Sequence, residues 1–243
     1  MMGKIYVVGI GPGGVVGMTQ EARMALERAD VLCGYTVYIE LVRDLFPNKE
    51  IYTTPMRREL DRCRWALERA VEDKTVVLIC SGDAGIYGMA SPLLEMAADF
   101  PDVEVEIIPG VTAALSGAAL LGAPLGHDFC VISLSDLLTP WEVIERRLNC
   151  AARGDFAVCL YNPSSKKRTD HLRRACDILL RYRAPDTPCG WTRNIGRKKQ
   201  ETRLLTLTQL REEQVDMLTT VFVGNSATEV LNDRLVTPRG YQK

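Results

Sequence analysis

The feature that most constrains the fold is a regular alternation of short apolar runs with amphipathic segments. The runs are rich in Val and Ile and five or six residues long, as in Ile5–Ile10, Thr75–Cys80 and Phe129–Ser133. Between them, apolar residues recur at helical spacing. Continuous apolar runs are typical of strands buried on both faces, and intervening helices are typical of parallel β-α repeats. The alternation therefore predicts an α/β protein.

The same pattern predicts two α/β domains. It runs through about 120 residues, stops at Gly122–Gly126, whose Gly and Pro content is typical of a linker, and then restarts. We place an N-terminal domain at residues 1–122 and a C-terminal domain at residues 123–243. In the C-terminal domain, the runs Arg203–Thr206 and Thr220–Val223 are separated by only one short polar helix. We therefore expect a mixed or antiparallel sheet there.

The charge composition and hydropathy argue against several classes of protein. The 30 basic and 31 acidic side chains give a net charge of −1, so no overall positive field attracts nucleic acid or an anionic membrane. No apolar run approaches the roughly 18 residues that span a bilayer. The pattern of a strand begins at Lys4, so we expect no secretory leader and a cytoplasmic protein.

The eight cysteines are isolated from one another, and none forms a C-x-x-C pair. Several lie inside apolar runs, where a reduced thiol behaves as a small core residue. The chain has only two histidines, His127 and His171, which are far apart in sequence. A zinc site needs clustered Cys or His ligands. We therefore expect reduced thiols and no metal bound by protein ligands.

The loop after the first predicted strand has the spacing of a dinucleotide-binding motif without its chemistry. Gly9–Gly14 satisfies G-x-G-x-x-G. A nicotinamide-binding loop opens a helix at once, so that free N–H groups bind the pyrophosphate. Here Pro12 has no N–H, the predicted N-cap Thr19 delays the helix, and no acidic residue ends the second strand. These departures disfavour a Rossmann dehydrogenase. The loop either brings bare backbone close to a ligand or forms a tight turn.

Further segments carry a family resemblance that covers essentially the whole chain. The general segments are Val8–Gly13 with Thr19, Ser81–Tyr87 and Ile108–Ala113; the more specific ones are Gly34–Ile39, Gly126–Trp141, Leu160–Ser165 and Val236–Tyr241. In these segments the chain resembles the tetrapyrrole methylases, which methylate precorrins with S-adenosylmethionine. Within that family it is similar to the branch that methylates carbon 17 of a precorrin-3-level macrocycle, with or without cobalt, and contracts the ring.

The resemblance implies an active site in the cleft between the two domains, with S-adenosylmethionine as the cofactor. It assigns to the cofactor residues Pro12, Ser81, Gly82, Asp83, Ile86, Thr112, Ala113, Asn162, Ile195, Gly224 and Asn225. One departure is that many relatives have Gly-Asp-Pro where this chain has Gly82-Asp83-Ala84. As a residue type, Asp83 suits hydrogen bonds from ribose hydroxyls or an ammonium group, and it also suits the N-cap of a following helix. The two roles are compatible.

The substrate of the resembled family is a flat macrocycle that carries acetate and propionate groups. Such an anion needs apolar walls and basic groups at the rim. The candidates for substrate binding are Gly11, Tyr35, Arg57, Arg58, Lys166 and Arg168. Solvated surface charge is the alternative interpretation for the basic residues, and core packing is the alternative for Tyr35.

Methyl transfer requires a ring carbon held in line with an activated methyl group, and ring contraction also requires proton transfer. The candidates for acid–base catalysis are His127, Ser135 and Asp136, which we expect to form one compact group with Asp128 and Ser133. A structural turn at His127 and a helix cap at Ser135 and Asp136 are the alternatives. We interpret His171 as structural.

These expectations combine into one functional hypothesis. The chain is expected to be an S-adenosylmethionine-dependent methyltransferase of cobalamin biosynthesis that acts on carbon 17 with ring contraction. Family likeness also implies a homodimer. The alternatives are a sister precorrin methylase that acts at another ring carbon, a nicotinamide-dependent oxidoreductase, and a corrinoid-binding module without catalysis.

Overall fold

A computed structural model describes residues 3–241 of the chain. They divide into two compact units, of which the first ends at Ala113 and the second begins at Ala114. Both units combine β-sheets with helices, which confirms the predicted α/β class. The division falls at the start of a helix, Ala113–Leu121, whereas the sequence analysis places the boundary after that helix.

The first unit is built on a five-stranded parallel sheet. Its strands are β1 (Lys4–Gly9), β2 (Val31–Tyr35), β3 (Glu50–Thr54), β4 (Thr75–Cys80) and β5 (Glu104–Ile108), in the spatial order β3-β2-β4-β1-β5. Every neighbouring pair is parallel. The loops that follow these five strands therefore lie along one edge of the sheet, which we call the first carboxyl edge.

Helices cover both faces of this sheet. They are α1 (Gln20–Arg28), α2 (Thr36–Ile39), α3 (Glu59–Val71) and α4 (Ala90–Ala97). Consecutive residues of β4, Leu78 and Ile79, belong to different apolar clusters because successive side chains of a strand point to opposite faces. At the start of α1, Thr19 Oγ1 accepts a hydrogen bond from Ala22 N at 3.1 Å, which confirms the predicted N-cap.

The spacing of apolar residues predicts a helix near Val37–Leu45, and this prediction is wrong as a single element. The structure has the short helix α2 and, after it, a separate 3-10 turn at Arg43–Leu45. Between them Val42 adopts φ −125°, outside the helical range, and its side chain is buried in the core. Tertiary burial of Val42 overrides the local helical spacing.

The second unit begins within α5 and combines two sheets with helices. Its elements in chain order are α5 (Ala113–Leu121), β6 (Gly122–Ala123), β7 (Phe129–Ser133), α6 (Trp141–Arg153), β8 (Ala157–Tyr161), α7 (His171–Leu179), β9 (Pro188–Arg193), β10 (Glu201–Thr206), α8 (Leu207–Arg211), β11 (Thr219–Val223), β12 (Glu229–Leu231) and β13 (Arg234–Val236). The larger sheet has the order β10-β9-β11-β8-β7. Only β7 and β8 are parallel; the other pairs are antiparallel. The expected mixed sheet is confirmed.

Strand direction gives this larger sheet two chemically different edges. β7, β8 and β9 all end at the edge where β11 begins, because Thr219 of β11 pairs with Arg193 of β9. We call this the second carboxyl edge; it comprises the loops after Ser133, Tyr161 and Arg193. The opposite edge carries the starts of β7 and β8 and the end of β11 at Val223.

The predicted linker is wrong, because its first residues form a strand. Gly122 and Ala123 pair in parallel with β13, which pairs in turn with β12. Thr237 Oγ1 also donates to Pro124 O at 2.6 Å, which holds the segment in place. The sequence analysis missed the β12–β13 hairpin, although its two-residue turn, Asn232-Asp233, has positive φ at both positions, as Asn and Asp favour.

Most of the cysteines occupy core positions, as the apolar contexts of several of them predict. All eight carry free thiols, and six of these are buried. Burial raises the pKa of Cys63 to about 11 and the pKa of Cys80 and Cys189 to about 12, so these thiols are protonated at neutral pH.

Within residues 3–241, no helix combines the length and apolar character needed to cross a membrane. In the same part of the chain, no three His, Cys, Asp or Glu side chains are grouped to hold a metal ion.

Three loops of the first carboxyl edge cross on bare backbone. Gly11 N donates to Gly82 O at 3.0 Å, and Gly82 N donates to Gly11 O at 2.7 Å. A Cβ atom added to Gly110 would lie 2.2 Å from Gly82 O and 2.4 Å from Gly9 O. Only glycine allows such an approach. The glycines of this edge therefore pack the loops after β1, β4 and β5 against one another.

This crossing predicts unequal effects for two glycine substitutions at the same edge. Gly110→Ala should lower the free energy of unfolding by at least about 2 kcal/mol, because its methyl group would overlap backbone oxygens. Gly85→Ala is the control, because its nearest atom would be Asp83 Oδ1 at an ordinary 3.4 Å; it should change stability by less than about 1 kcal/mol. Urea unfolding measures both, and equal losses would contradict the role given to the crossing.

Candidate functional site

The first carboxyl edge brings together most of the site residues predicted in the first unit. β1 lies between β4 and β5, so Pro12, the Ser81–Ile86 loop and Thr112–Ala113 follow three adjacent strands. A Cβ atom on Gly82 would lie 3.7 Å from both Thr112 Cα and Ala113 N. Because Gly82 has no side chain, a gap about as wide as a methyl group remains between these two loops.

Asp83 fixes the geometry of this edge. Its Oδ1 accepts hydrogen bonds from Gly85 N at 2.8 Å and Ile86 N at 3.0 Å, and its Oδ2 accepts one from Gly110 N at 2.9 Å. The carboxylate therefore closes a turn in its own loop and ties that loop to the one after β5. The alternative role as a helix N-cap is wrong, because α4 begins only at Ala90.

The same three loops expose apolar side chains. Val16, Ile86, Tyr87 and Val111 are each more than a third exposed, and Val16 is fully exposed. Clustered exposed apolar groups mark binding surfaces more often than they mark ordinary solvent-facing loops. Bare glycine backbone beside apolar side chains suits a flat ligand with a few polar groups.

The end of β2 and the loop after β3 carry three of the predicted substrate residues. Tyr35 packs edge-to-face against Tyr38, with ring centroids 5.1 Å apart. Arg57 has φ 69° and its backbone N–H donates to Glu59 Oε1 at 3.1 Å. Arg58 forms an ion pair with Asp61. Within residues 3–241, no carboxylate lies within ion-pair distance of the exposed Arg57 guanidinium, which leaves that group available to an anionic ligand.

A buried arginine that the sequence analysis did not select supports this loop. Arg62 is 4% exposed, and its Nη1 donates to Thr54 Oγ1 at 2.6 Å and to Pro55 O at 3.1 Å. Its Nη2 lies 3.4 Å from Glu59 Oε1. A sequence signal exists: Arg62 lies four residues before Ala66, on the apolar face of α3.

The second carboxyl edge holds a different group of predicted residues. Asn162 follows β8 with φ 53°, and its Nδ2 donates to Ser133 Oγ at 3.0 Å. Ser135 N donates to the same oxygen at 3.2 Å. Ile195 follows β9 at this edge. Asn162, Ile195 and Ser135 are thus grouped because β7, β8 and β9 end together.

Asp136 belongs to a cluster of charged residues at this edge. Its Oδ2 lies 3.1 Å from His171 Nε2, and its Oδ1 lies 3.8 Å from Arg168 Nε. His171 Nδ1 lies 3.2 Å from Asp170 Oδ1. Partial burial alone would raise the pKa of Asp136, but the contacts with His171 and Arg168 lower it below its usual value. The carboxylate is therefore ionised at neutral pH.

The predicted substrate residues Lys166 and Arg168 lie in one tight turn. Ser165 and Arg168 exchange two backbone hydrogen bonds of 3.0 Å, and Lys166 is exposed at the tip. Arg168 folds back instead, with Nε 3.2 Å from Ser165 Oγ and Nη1 3.5 Å from Leu134 O. Lys166 is thus open to a ligand, whereas Arg168 braces the loop after β7.

His127 does not join the compact acid–base group that the sequence analysis expects. His127 and Asp128 precede β7, whereas Ser135 and Asp136 follow it. The five residues of β7 span about 17 Å. His127 is exposed, and its Nδ1 accepts a hydrogen bond from Asp128 N at 2.8 Å. Nearness in sequence did not predict nearness in space here, because the extended strand β7 separates His127 from Ser135 and Asp136.

Gly224 and Asn225 do not lie with Asn162 and Ile195. They follow β11, which is antiparallel to β8, so they lie at the opposite edge of the sheet. Gly224 N donates to Pro188 O at 2.9 Å, and Asn225 Oδ1 accepts from Ala227 N and Thr228 Oγ1 at 3.1 Å each. Asn225 lines a separate pocket of about 580 Å³ at that edge. The resemblance assigns all four residues to the cofactor, whereas the antiparallel direction of β11 places Gly224 and Asn225 at the opposite edge.

Comparison with known proteins identifies the family. Residues 4–211 match the family model of the tetrapyrrole (corrin/porphyrin) methylases. The chain belongs to this family. It is 50% identical over 238 residues to the probable cobalt-factor III C(17)-methyltransferase of Salmonella typhimurium (strain LT2), covering 98% of this chain and 99% of that protein.

Two further comparisons agree with this assignment. The chain is 46% identical over 248 residues to the cobalt-factor III methyltransferase of Priestia megaterium; the match covers 100% of this chain but only 46% of that longer protein. The crystal structure of the methyltransferase CobJ superposes with a TM-score of 0.89 at 40% identity, covering 97% of this chain and 100% of that one. The resemblance to tetrapyrrole methylases is confirmed in both sequence and fold.

In this tetrapyrrole methylase, the bonds made by Asp83 predict a graded loss of stability. Asp83→Asn keeps an oxygen that accepts from Gly85 N and Ile86 N, but its NH2 group, a donor, then faces the Gly110 N–H, which is also a donor. The free energy of unfolding should therefore fall by about 1–2 kcal/mol. Asp83→Ala leaves all three N–H groups unpartnered and should cost more. Thermal and urea unfolding measure the order, and two variants of wild-type stability would refute the tie between the loops.

Proposed function

We propose that this tetrapyrrole methylase transfers a methyl group from S-adenosylmethionine to carbon 17 of a precorrin-3-level macrocycle and contracts the ring in cobalamin biosynthesis. The observation that carries the proposal is the 50% identity, over nearly the full length of both chains, to a probable C(17)-methyltransferase. Both curated relatives described above are named for cobalt-factor III, which favours the cobalt-containing substrate over metal-free precorrin-3B. The homodimeric state that the resemblance implies and the cytoplasmic location expected from the sequence belong to the same proposal.

The first carboxyl edge suits S-adenosylmethionine better than a dinucleotide. α1 begins only at Gln20, ten residues after Ile10, so its N-terminal N–H groups do not directly follow the strand as they do in a pyrophosphate-binding loop. Pro12 also lacks an N–H that could bind a phosphate. The bare backbone at Gly82 and the exposed Ile86 suit contact with the uncharged, flat nucleoside part of this cofactor. When bound, the cofactor supplies a methyl group already activated as a sulfonium.

The residues proposed to bind the cofactor in the first unit are those of the crossing loops, namely Pro12, Ser81, Gly82, Asp83, Ile86, Thr112 and Ala113. A carboxylate has about four acceptor positions, so Asp83 retains one for a ribose hydroxyl or an ammonium group after its three backbone bonds. In the second unit the proposed residues are Asn162 and Ile195. A cofactor role of Gly224 and Asn225 stays a prediction from the resemblance alone.

Charge balance sets the task of the acid–base residues. The methyl group brings the positive charge of the sulfonium to the macrocycle, so release of one proton restores the charge of the substrate. Asp136 is ionised at neutral pH and lies at the second carboxyl edge, so we assign the proton acceptor to it. Ser135, beside it, and His127, at the start of β7, stay candidate acid–base residues.

The carboxylates of the substrate require cations that are not already paired. Arg57 and Lys166 are exposed and meet this requirement, whereas Arg58 and Arg168 have carboxylate neighbours in Asp61 and Asp136. Gly11 and Tyr35 complete the proposed substrate residues, Gly11 through bare backbone and Tyr35 through an aromatic ring.

The experiment that tests the function is incubation with S-adenosylmethionine and, in separate reactions, cobalt-factor III or precorrin-3B. Mass spectrometry should show a product heavier by one methylene, and NMR should place the new methyl group on carbon 17. Calorimetric titration with S-adenosylhomocysteine and with NADH is the binding control. A methyl group at another carbon, or binding of NADH alone, would overturn the proposal.

The two arginines after Pro55 differ in their ion pairing, which predicts different effects on substrate binding. Arg57→Ala should raise the KM for the tetrapyrrole about 2- to 5-fold, because it removes an exposed cation that is free to contact a carboxylate. Arg58→Ala should have a smaller effect, since its guanidinium already pairs with Asp61. Steady-state kinetics measure both; a larger KM for the Arg58 variant would reverse the assignment.

A further inference from the structure

The charged cluster at the second carboxyl edge contains a histidine that the proposed mechanism has not yet used. His171 is the first residue of α7 and is 4% exposed, so it does not reach a substrate itself. Its two ring nitrogens face two carboxylates, Asp136 from the loop after β7 and Asp170 from its own N-cap position. A buried imidazole between two carboxylates is uncommon, because burial of polar and charged groups is costly.

The surroundings of His171 leave the ring little freedom to move. The ring of Trp141 in α6 packs edge-on against it, with centroids 4.9 Å apart at 80°. The guanidinium of Arg174 lies over the Trp141 ring, 3.9 Å from the ring centroid. The imidazole is therefore held between an aromatic side chain and two carboxylates, with Nε2 kept near Asp136.

Asp136, in contrast, is partly accessible. Its side chain is 39% exposed, whereas the side chain of His171 is 5% exposed. One oxygen of Asp136 faces His171, and the other lies toward Arg168 at 3.8 Å. An exposed carboxylate with a buried imidazole behind it has the arrangement of an acid–base group oriented by a partner.

We propose that His171 is a positioning residue that holds the Asp136 carboxylate oriented and ionised for proton transfer in the methylation reaction. The expected change in kcat rests on the proposed function, whereas the expected change in the pKa of Asp136 does not. The charged groups that face Asp136 are His171 from α7 and Arg168 from the loop before it. Those that face His171 are Asp136 and Asp170.

The sign of the expected pH effect follows from these neighbours. Burial raises the pKa of Asp136, whereas His171 and Arg168 lower it, and the net result is a lowered pKa. Removal of the imidazole leaves burial opposed only by a backbone hydrogen bond and by Arg168, so the pKa of Asp136 should rise. If the ionised carboxylate accepts the proton, the acidic limb of the kcat profile should shift to higher pH in the same variant.

The decisive experiment is a double-mutant cycle with Asp136. We expect His171→Leu to lower kcat about 10-fold and Asp136→Asn to lower it about 100-fold. In the Asp136→Asn background, His171→Leu should change kcat less than about 2-fold, because its effect passes through the carboxylate. Affinity for S-adenosylhomocysteine should stay unchanged. Additive losses would refute the proposal, since a purely structural role acts in either background.

Two further variants separate this role from a folding defect. His171→Gln keeps a donor that can reach Asp136 without the imidazole, so it should restore part of the lost kcat. Arg173→Ala lies two residues further along α7, where Arg173 pairs with Glu212 at an exposed position, and should leave kcat unchanged. If His171→Leu does not fold, a kcat of His171→Gln below one tenth of wild type together with an unmoved acidic limb would refute the proposal.

A readout without substrate distinguishes this proposal from the proposed function. In protein labelled with 13C at aspartate Cγ, the Asp136 resonance is assigned by its loss in Asp136→Asn, and its pKa is titrated by NMR. The pKa should be higher in His171→Leu than in wild type, even if no tetrapyrrole is converted. An inactive wild type with this shift would reject only the methylation. An unchanged pKa would reject the pairing itself.

Discussion

The close crossing of three backbone loops at Gly9, Gly82 and Gly110 is the constraint on which the first unit's site depends. A side chain at Gly9 or Gly110 would overlap neighbouring backbone atoms, so the loops after β1, β4 and β5 can meet only without side chains there. Asp83 then accepts three hydrogen bonds from backbone N–H groups, two that close a turn in its own loop and one that ties this loop to the loop after β5. Because these contacts join the loops to one another, the exposed surface beside them is preorganised before a ligand arrives.

The same crossing explains why a dinucleotide spacing occurs in a chain without dinucleotide chemistry. In a pyrophosphate-binding loop the glycines let a helix N-terminus approach phosphate oxygens. Here Gly9 and Gly11 approach the backbone of neighbouring loops instead, and ten residues separate the end of the strand from the start of the helix. One spacing of glycines thus serves two unrelated purposes, and the position of the following helix tells them apart.

In the second unit the deciding constraint is strand direction. β7 and β8 are parallel and β9, on the other side of β11, ends at the same edge, which places Asn162, Ile195 and Asp136 at that edge. β11 is antiparallel to β8, so Asn225 lies at the opposite edge. A proton-transfer role assigned by nearness in sequence would favour His127, whereas the fold instead brings His171, 35 residues beyond Asp136, against its carboxylate.

The sequence by itself determined the α/β class, most strand positions, the N-cap Thr19 and the family, because these depend on local periodicity, residue chemistry and specific motifs. Only the tertiary structure decided that Gly122-Ala123 is a strand, that Arg62 is buried beneath the loop of Arg57, and that His171 faces Asp136. The physical reason is that strand pairing and side-chain partners join residues far apart in the chain. A shift of strand register by one residue, or the reversal of one strand, changes these partners without altering any local sequence pattern.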